Sequence, residues 1–202
     1  MNIDSSLNAW LAQHPRLRWL AYRLGLLPEA QYRIVWPRNI VIHDVRRGLP
    51  FADESAQYIY ASHFLEHLYY QEAIIFLKEC YRVLANGGVL RIVVPDLQSM
   101  VESYLKERQQ VPDSPEPAER LLDGLGFIPQ RPARGVIGFI AFLQDKNRHK
   151  WMYDWPSLTA LIRGAGFNKF RRCRYLESVI EDIAAVEKED RLIDALCLEC
   201  IK

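Results

Sequence analysis

An alternation of strand-like and helix-like runs restricts the fold of this 202-residue chain more than any other feature. Residues 56–62 and 89–94 are apolar β-rich runs that predict two strands. Between them, residues 71–84 carry apolar side chains at helical spacing. A strand, a helix and a further apolar strand are typical of a parallel sheet covered by helices. The sequence therefore predicts a Rossmann-like, doubly wound α/β fold.

The flanking segments extend this pattern. Residues 38–44 predict a short buried strand, and residues 16–27 predict a basic amphipathic helix that packs on its own domain. Residues 169–176 and 194–202 predict two final strands, which suits an antiparallel C-terminal strand added to a mostly parallel sheet. Asn86-Gly87-Gly88 predicts the end of the central helix, because glycine accepts the left-handed conformation found there.

Residues 106–134 interrupt the alternation. They contain the prolines Pro112, Pro115, Pro117, Pro129 and Pro132, mixed with charged residues. Such a stretch predicts a long loop or a lid insertion. Residues 135–143 are apolar and fit either a strand or a helix. Since there is no internal repeat and no change of composition, we expect a single domain over residues 1–202.

Composition excludes several classes of protein. Half of the residues are hydrophobic, a quarter are charged and the formal net charge is +1, so no overall positive charge favours nucleic acid. The four cysteines are spaced irregularly and predict buried free thiols; Cys197 and Cys200 lie three apart in a strand-like run and would point to opposite faces. With no apolar run of 18 residues and no signal peptide, we expect no membrane span and a cytoplasmic protein.

The stretch SHFLEH, residues 62–67, matches the pattern H-x-x-E-H, which in some peptidases is a zinc site with its general base. A zinc motif of that kind belongs well inside a helix, whereas His63 directly follows a predicted strand. Glu72 and Glu79 follow too closely to supply the third ligand. We therefore expect no metal. The carboxyl ends of strands in doubly wound sheets bind ligands, so this position favours a small molecule.

Two stretches together resemble a known family. They are HDVRRGLPFADESAQYIYASHFLEHL, residues 43–68, and LKECYRVLANGGVLRIVVPDL, residues 77–97. They resemble the class I S-adenosylmethionine-dependent methyltransferases of the methyltransferase type 11 kind, and HKWMYDWPSLTALIRGAGF, residues 149–167, resembles their closing part. Ala85-Asn86 stands where the family has Lys-Pro, and Gln57 stands where it has an acid.

The resemblance implies a seven-stranded sheet of order 3-2-1-4-5-7-6 and S-adenosylmethionine as the cofactor. It assigns Asp4 to the ribose hydroxyls, and Asp44 with Val45 to the adenine. It also assigns Ser62 and His63 to the cleft between cofactor and substrate. These five residues are the expected cofactor contacts.

One family element is missing from the printed sequence. No G-x-G turn precedes residue 38, where the only glycine is Gly25. If residues 2–6 end the second strand, the first strand and the Gly-rich loop belong upstream of residue 1. We expect such a missing N-terminal part; the open alternative is a shortened, degenerate member of the family.

The expected function is transfer of a methyl group to a small-molecule or other acceptor, with His63, His149 and Tyr153 as the catalytic candidates. Glu66 and His67 are expected to orient the turn after the strand. Asp96 follows the next strand, where contact with the substrate and turn chemistry are both open explanations. The alternative is a catalytically inactive methyltransferase-like binding or assembly module. A homo-oligomer is compatible with either function.

Overall fold

The computed structural model describes residues 1–37, 39–127 and 148–202. These residues form two compact units, which span residues 1–50 and 51–202. The sequence-based prediction of one domain over residues 1–202 stays a prediction. No helix in the described part of the chain is long and apolar enough to cross a membrane.

The first unit contains a two-stranded parallel sheet. Strand β1 (Asn2–Asp4) pairs with β2 (Ile40–Ile42), and Asp4 lies opposite Ile42 at the carboxyl end of the pair. Three helices connect the strands: α1 (Leu7–Ala12), α2 (Pro15–Arg23) and α3 (Glu29–Tyr32). The predicted basic helix is confirmed as α2. It begins with a proline in its first turn, where a missing N–H costs nothing.

The second unit contains a four-stranded sheet of order β3-β4-β6-β5. Its strands are β3 (Ala56–Ser62), β4 (Leu84–Pro95), β5 (Lys169–Arg172) and β6 (Ala195–Ile201). Strands β3 and β4 are parallel, and β6 is antiparallel to both β4 and β5. The predicted antiparallel C-terminal strand is confirmed, but β6 lies between β4 and β5, so β5 forms the edge.

The described residues of this unit form the helices α4 (Tyr70–Val83), α5 (Leu97–Gln110), α6 (Glu116–Gly124) and α7 (Trp155–Gly164). Short 3-10 helices lie at Leu65–His67, Ile183–Ala185 and Glu189–Leu192.

The two sheets follow two runs of the expected strand order. The first sheet corresponds to strands 3-2, and the second corresponds to strands 4-5-7-6. In the described residues, β1 pairs only with β2 and β3 pairs only with β4. The Rossmann-like α/β prediction is confirmed.

The core of the second unit forms around β4. Its run from Val89 to Val94 is buried on both faces, as expected for an apolar strand inside a covered sheet. Helix α4 buries the face that carries Ala73, Phe76, Leu77 and Cys80, in agreement with its predicted spacing. The helix ends at Val83, and the two glycines shape the start of β4 instead. A Cβ on Gly88 would lie 2.8 Å from the carbonyl oxygen of Ala85.

The predicted long loop over residues 106–134 is wrong for the part that the structure describes. Helix α5 continues to Gln110, and α6 spans Glu116–Gly124. The prolines do not oppose these helices, because Pro112 lies between them and Pro117 lies in the first turn of α6, where proline is tolerated. Residues 128–134, and the ambiguous run 135–143, lie outside the described residues. A lid role stays a prediction.

Candidate functional site

The carboxyl end of β3 forms the centre of the candidate site. The strand's ladder continues to His63, whose N–H donates to the carbonyl oxygen of Val93 over 2.9 Å. His63 has a φ of +47°, which is uncommon outside glycine and is found at functional sites when the surroundings hold it there. This backbone conformation turns the chain out of the strand and into the 3-10 helix Leu65–His67. The hydroxyl oxygen of Ser62 is buried and has no hydrogen-bond partner in the described chain.

Glu66 is the central side chain of the site. It has no exposed surface, and neither carboxylate oxygen has a hydrogen-bond partner among the described residues. Its backbone carbonyl oxygen accepts from the N–H of Lys150 over 2.7 Å, and the Lys150 ammonium donates to the carbonyl oxygen of His67 over 3.1 Å. The segment that begins at Arg148 is therefore held against the turn.

Three histidines and a tyrosine surround this carboxylate. Nδ1 of His63 lies 3.3 Å from Oε1 of Glu66, and Nε2 of His67 lies 3.9 Å from the same oxygen. The rings of His67 and His149 are tilted against each other with centroids 5.2 Å apart. Glu66, His67 and His149 each offer one ligand atom, and these three atoms lie within 4.8 Å of one another. The hydroxyl of Tyr153 is buried and has no described partner.

The surroundings shift the protonation of these groups in different directions. The contact with Glu66 raises the pKa of His63, against the effect of burial. Burial lowers the pKa of His149, so its ring is neutral at pH 7. Burial, with the charge of Glu66, raises the pKa of Tyr153 and keeps its hydroxyl protonated. The site therefore combines a protonated donor with a neutral imidazole beside one buried carboxylate.

The structure brings His63, His149 and Tyr153 together around Glu66, and their catalytic roles stay predictions. Sequence reasoning had assigned Glu66 and His67 only to orienting the turn. His149 lies 82 residues after His67 in the sequence, so the pattern around residues 62–67 did not indicate that it joins them. The zinc pattern calls for a downstream third ligand, for which the sequence analysis considered acids. In the structure a histidine, His149, lies beside His67 instead.

The first unit holds the other expected cofactor contacts. Asp4 ends β1, and its carboxylate accepts from the N–H of Ser6 over 2.6 Å. Asp44 follows β2 and caps the 3-10 helix that begins at Val45; its carboxylate also pairs with the guanidinium of Arg46 at 2.6 Å. Both acids lie at the carboxyl ends of neighbouring parallel strands, and therefore on the same side of this sheet. Their binding roles stay predictions.

Asp96 ends β4 in the second unit. Its Oδ1 accepts from the N–H of Gln98 over 3.1 Å, so it caps helix α5. Its Oδ2 pairs with Arg172 at 3.0 Å. Turn chemistry, one of the two explanations that the sequence leaves open, therefore accounts for Asp96.

The strand order and the polar side chains at strand ends define a Rossmann-like α/β protein. Residues 18–92 match a family model described as a methyltransferase domain. This part of the chain is therefore similar to a methyltransferase domain, and S-adenosylmethionine is the cofactor of the class that the sequence resembles. The match includes β2, β3 and α4, which are elements of the resemblance found in the sequence. No curated protein sequence matches the chain.

Several solved structures are similar to this one. A possible histamine N-methyltransferase from Thermotoga maritima is 16% identical, with 99% of this chain and 72% of that chain covered and a TM-score of 0.47. A SAM-dependent methyltransferase from Archaeoglobus fulgidus is 16% identical, with 92% and 80% covered and a TM-score of 0.46. The YcgJ protein from Bacillus subtilis is 10% identical, with 99% and 80% covered and a TM-score of 0.47. These are likenesses of fold only, and the similarity to a methyltransferase domain is the match over residues 18–92.

The residues at the strand ends fit the adenosine half of the cofactor better than its methionine half. Carboxylates such as those of Asp4 and Asp44 accept hydrogen bonds from ribose hydroxyls and from an adenine amino group.

Proposed function

We propose that this protein is an enzyme that transfers a methyl group from S-adenosylmethionine to an acceptor. The match of residues 18–92 to a methyltransferase domain carries the proposal. When bound, S-adenosylmethionine supplies a methyl group on a positively charged sulfur, which is already activated for transfer. The chain then has to align a nucleophile and remove its proton.

The proposed cofactor contacts follow the resemblance. Asp4 would accept from the ribose hydroxyls, and Asp44 with Val45 would contact the adenine. Their support is the placement of both acids after parallel neighbouring strands, where ligands bind in sheets of this kind. Ser62 and His63, at the carboxyl end of β3, remain the proposed contacts of the second unit.

On the acceptor side, His149 is the better proposed base. Burial keeps its imidazole neutral, whereas the pKa of His63 is raised by Glu66 and its Nε2 lies 2.7 Å from the carbonyl oxygen of Arg191. Tyr153 would act as a hydrogen-bond donor, because its hydroxyl stays protonated. The acceptor is proposed as a small molecule or another methyl acceptor, in a cytoplasmic protein that can form homo-oligomers.

The alternative is a catalytically inactive methyltransferase-like module for binding or assembly. Such a module needs no Gly-rich turn of the kind that holds the methionine part of the cofactor. Without that turn, the methionine half of the cofactor lacks the close backbone approach that glycines permit. The two functions differ in whether the protein binds the cofactor at all.

Calorimetric titration of S-adenosylhomocysteine separates the two functions. The titration uses this chain and a form extended upstream in frame. Micromolar binding by the extended form alone means that the Gly-rich turn lies upstream. Binding by both forms means that the adenosine contacts suffice. If neither form binds while both are folded, the enzyme proposal fails and the module is favoured.

Two matched variants test the assigned contacts in whichever form binds. Asp4→Asn should weaken the binding of S-adenosylhomocysteine at least tenfold, since it replaces a charged acceptor of two ribose hydroxyls. Asp113→Asn changes an exposed acid of the second unit and should leave binding unchanged. Equal binding by both variants would contradict the role of Asp4.

A further inference from the structure

We propose that Glu66, His67 and His149 bind a divalent transition-metal ion of the zinc class. The resemblance does not imply a metal site, and the site shares His149 with the proposed methyl transfer: in the metal-bound protein His149 is a ligand and does not act as the base. The proposal rests on the donor atoms, on their burial and on the hydrogen bonds that orient them.

The donor atoms already lie close together. The three ligand atoms are within 4.8 Å of one another. On a tetrahedral zinc with bonds of about 2.1 Å, ligand atoms lie about 3.4 Å apart. Binding would therefore draw them together by about 1 Å, which small side-chain rotations can supply.

Glu66 needs a partner that the described residues do not supply in full. An ionised carboxylate without solvent contact is costly unless a cation or hydrogen-bond donors compensate it. Glu66 is wholly buried, and both of its oxygens have no hydrogen-bond partner in the part of the chain that is described. A bound cation would compensate the negative charge of this buried carboxylate and bind its oxygens.

His67 is oriented as a metal ligand. Its Nδ1 lies 3.2 Å from the carbonyl oxygen of Arg148, which can only accept, so Nδ1 carries the proton. In the neutral tautomer with the proton on Nδ1, Nε2 is the nitrogen that can bind a metal, and it lies 3.9 Å from Oε1 of Glu66. Metal-binding histidines almost always donate from the second ring nitrogen to a carbonyl or carboxylate in this way.

His149 is the third ligand. Its Nδ1 is buried and has no hydrogen-bond partner among the described residues, and its ring lies against that of His67. A ligating imidazole has to be neutral. The unpartnered Nδ1 is the nitrogen of His149 that we expect to bind the ion.

A protonated His63 is the competing partner for Glu66. Its Nδ1 lies 3.3 Å from Oε1. This pair accounts for one oxygen but leaves Oε2 of Glu66 and Nδ1 of His149 without partners. In the metal-bound state, His63 would instead be a positioning residue whose N–H holds the ligating carboxylate.

The set of donors selects the class of metal. Two imidazole nitrogens and one carboxylate oxygen suit Zn²⁺, Co²⁺ or Fe²⁺, whereas Mg²⁺ and Ca²⁺ prefer oxygen ligands throughout. Three protein ligands leave a coordination position for water or for an oxygen of a bound molecule. The site does not reproduce the peptidase arrangement, because Glu66 is itself a ligand and lies in a three-residue 3-10 helix.

Metal binding to the full chain, without a histidine tag and stripped with a chelator, tests the proposal. Calorimetric titration with ZnCl₂ should give one ion per chain with a micromolar or lower Kd, and MgCl₂ should bind at least 100-fold more weakly. Zn²⁺ should also raise the Tm of the unaltered chain. Absence of stoichiometric Zn²⁺ binding, or equal binding of Mg²⁺, would overturn the proposal.

Variants identify the ligands. Glu66→Gln and His149→Ala should each weaken Zn²⁺ binding at least 100-fold and change the visible spectrum of the Co²⁺-loaded protein. His14→Ala is the matched control, since it removes an exposed histidine of the first unit. Equal loss in the control would mean adventitious surface binding and would contradict the site. If a ligand variant fails to fold, the Tm shift and the Co²⁺ spectrum of the unaltered chain still decide.

Discussion

Arg91 and Glu187 form a two-point ion pair that is closed to solvent. Nε of Arg91 donates to Oε1 over 2.8 Å and Nη2 donates to Oε2 over 3.0 Å, with neither side chain exposed. Nη1 donates to Glu199 on strand β6 over 2.9 Å. The guanidinium also donates to the carbonyl oxygens of Arg174 and Glu177. One residue of β4 thus ties β6 and the loop after β5 to the centre of the sheet.

Removal of Arg91 should therefore be strongly destabilising. Arg91→Ala leaves buried carboxylates without a cation, and we expect it to lower the free energy of unfolding by about 3–5 kcal/mol. Urea denaturation measures this loss. Arg171→Ala is the matched control, because Arg171 pairs with the same Glu199 but is 45% exposed, and it should cost about 1 kcal/mol or less. Similar losses in the two variants would contradict the role of burial.

Glu199 should make the stability depend on pH. Burial acts to raise its pKa, but hydrogen bonds from Ser178 and Arg171 and the charge of Arg91 outweigh it, so the pKa in the folded protein lies below the usual value. The stabilisation is therefore present above the unfolded-state pKa, near 4.3, and is lost as the pH falls through the folded-state pKa. The difference in unfolding free energy between the unaltered protein and Glu199→Gln should shrink from pH 7 to pH 3.5. A constant difference would count against this linkage.

The four cysteines should not react in the folded protein. Cys80, Cys173, Cys197 and Cys200 are all free and buried. Burial raises the pKa of Cys197 to about 12, which leaves almost no thiolate at neutral pH. We expect no labelling by an aromatic disulfide reagent in native buffer and four labelled thiols in denaturant. Rapid native labelling of Cys197 or Cys200 would show that β6 is not packed as described.

Asp154 should stabilise helix α7 as its N-cap. Its Oδ1 accepts from the N–H of Ser157 over 2.9 Å, and the Ser157 hydroxyl oxygen accepts from the N–H of Asp154 over 3.0 Å. Asp154→Ala should cost about 1 kcal/mol of unfolding free energy, and Asp154→Asn should recover most of it. Chemical denaturation of both variants provides the measurement. Equal losses from Ala and Asn would exclude the capping interaction as the cause.

Two glycines should respond in opposite directions to replacement by alanine. A Cβ on Gly88 would lie 2.8 Å from a backbone carbonyl oxygen, and Gly88→Ala should destabilise the protein by about 1–3 kcal/mol. Gly164 ends helix α7 with no atom within 4 Å of the added Cβ, so Gly164→Ala should be stabilising by up to about 1 kcal/mol. Thermal denaturation of both variants provides the comparison, and destabilisation by Gly164→Ala would contradict the open space there.

The sequence predicted the elements whose signals are local. The apolar run of β4 and the helical spacing of α4 identify a covered parallel sheet, because periodicity reports which faces are buried. Local signals gave a wrong prediction for residues 106–127. There, prolines predicted a loop, although proline in a first turn or between helices is compatible with the observed α5 and α6.

The amino-acid sequence by itself determined the fold class and the resemblance to methyltransferases, and it predicted that ligands bind at the strand ends. Only the tertiary structure decided that Glu66 is the centre of a buried cluster with His149. It also decided that Arg91 pairs with the carboxylates of Glu187 and Glu199. These partners are separated in sequence by 82 residues or more. Burial and pairing over such distances depend on which segments pack together, and no local pattern of side chains encodes that.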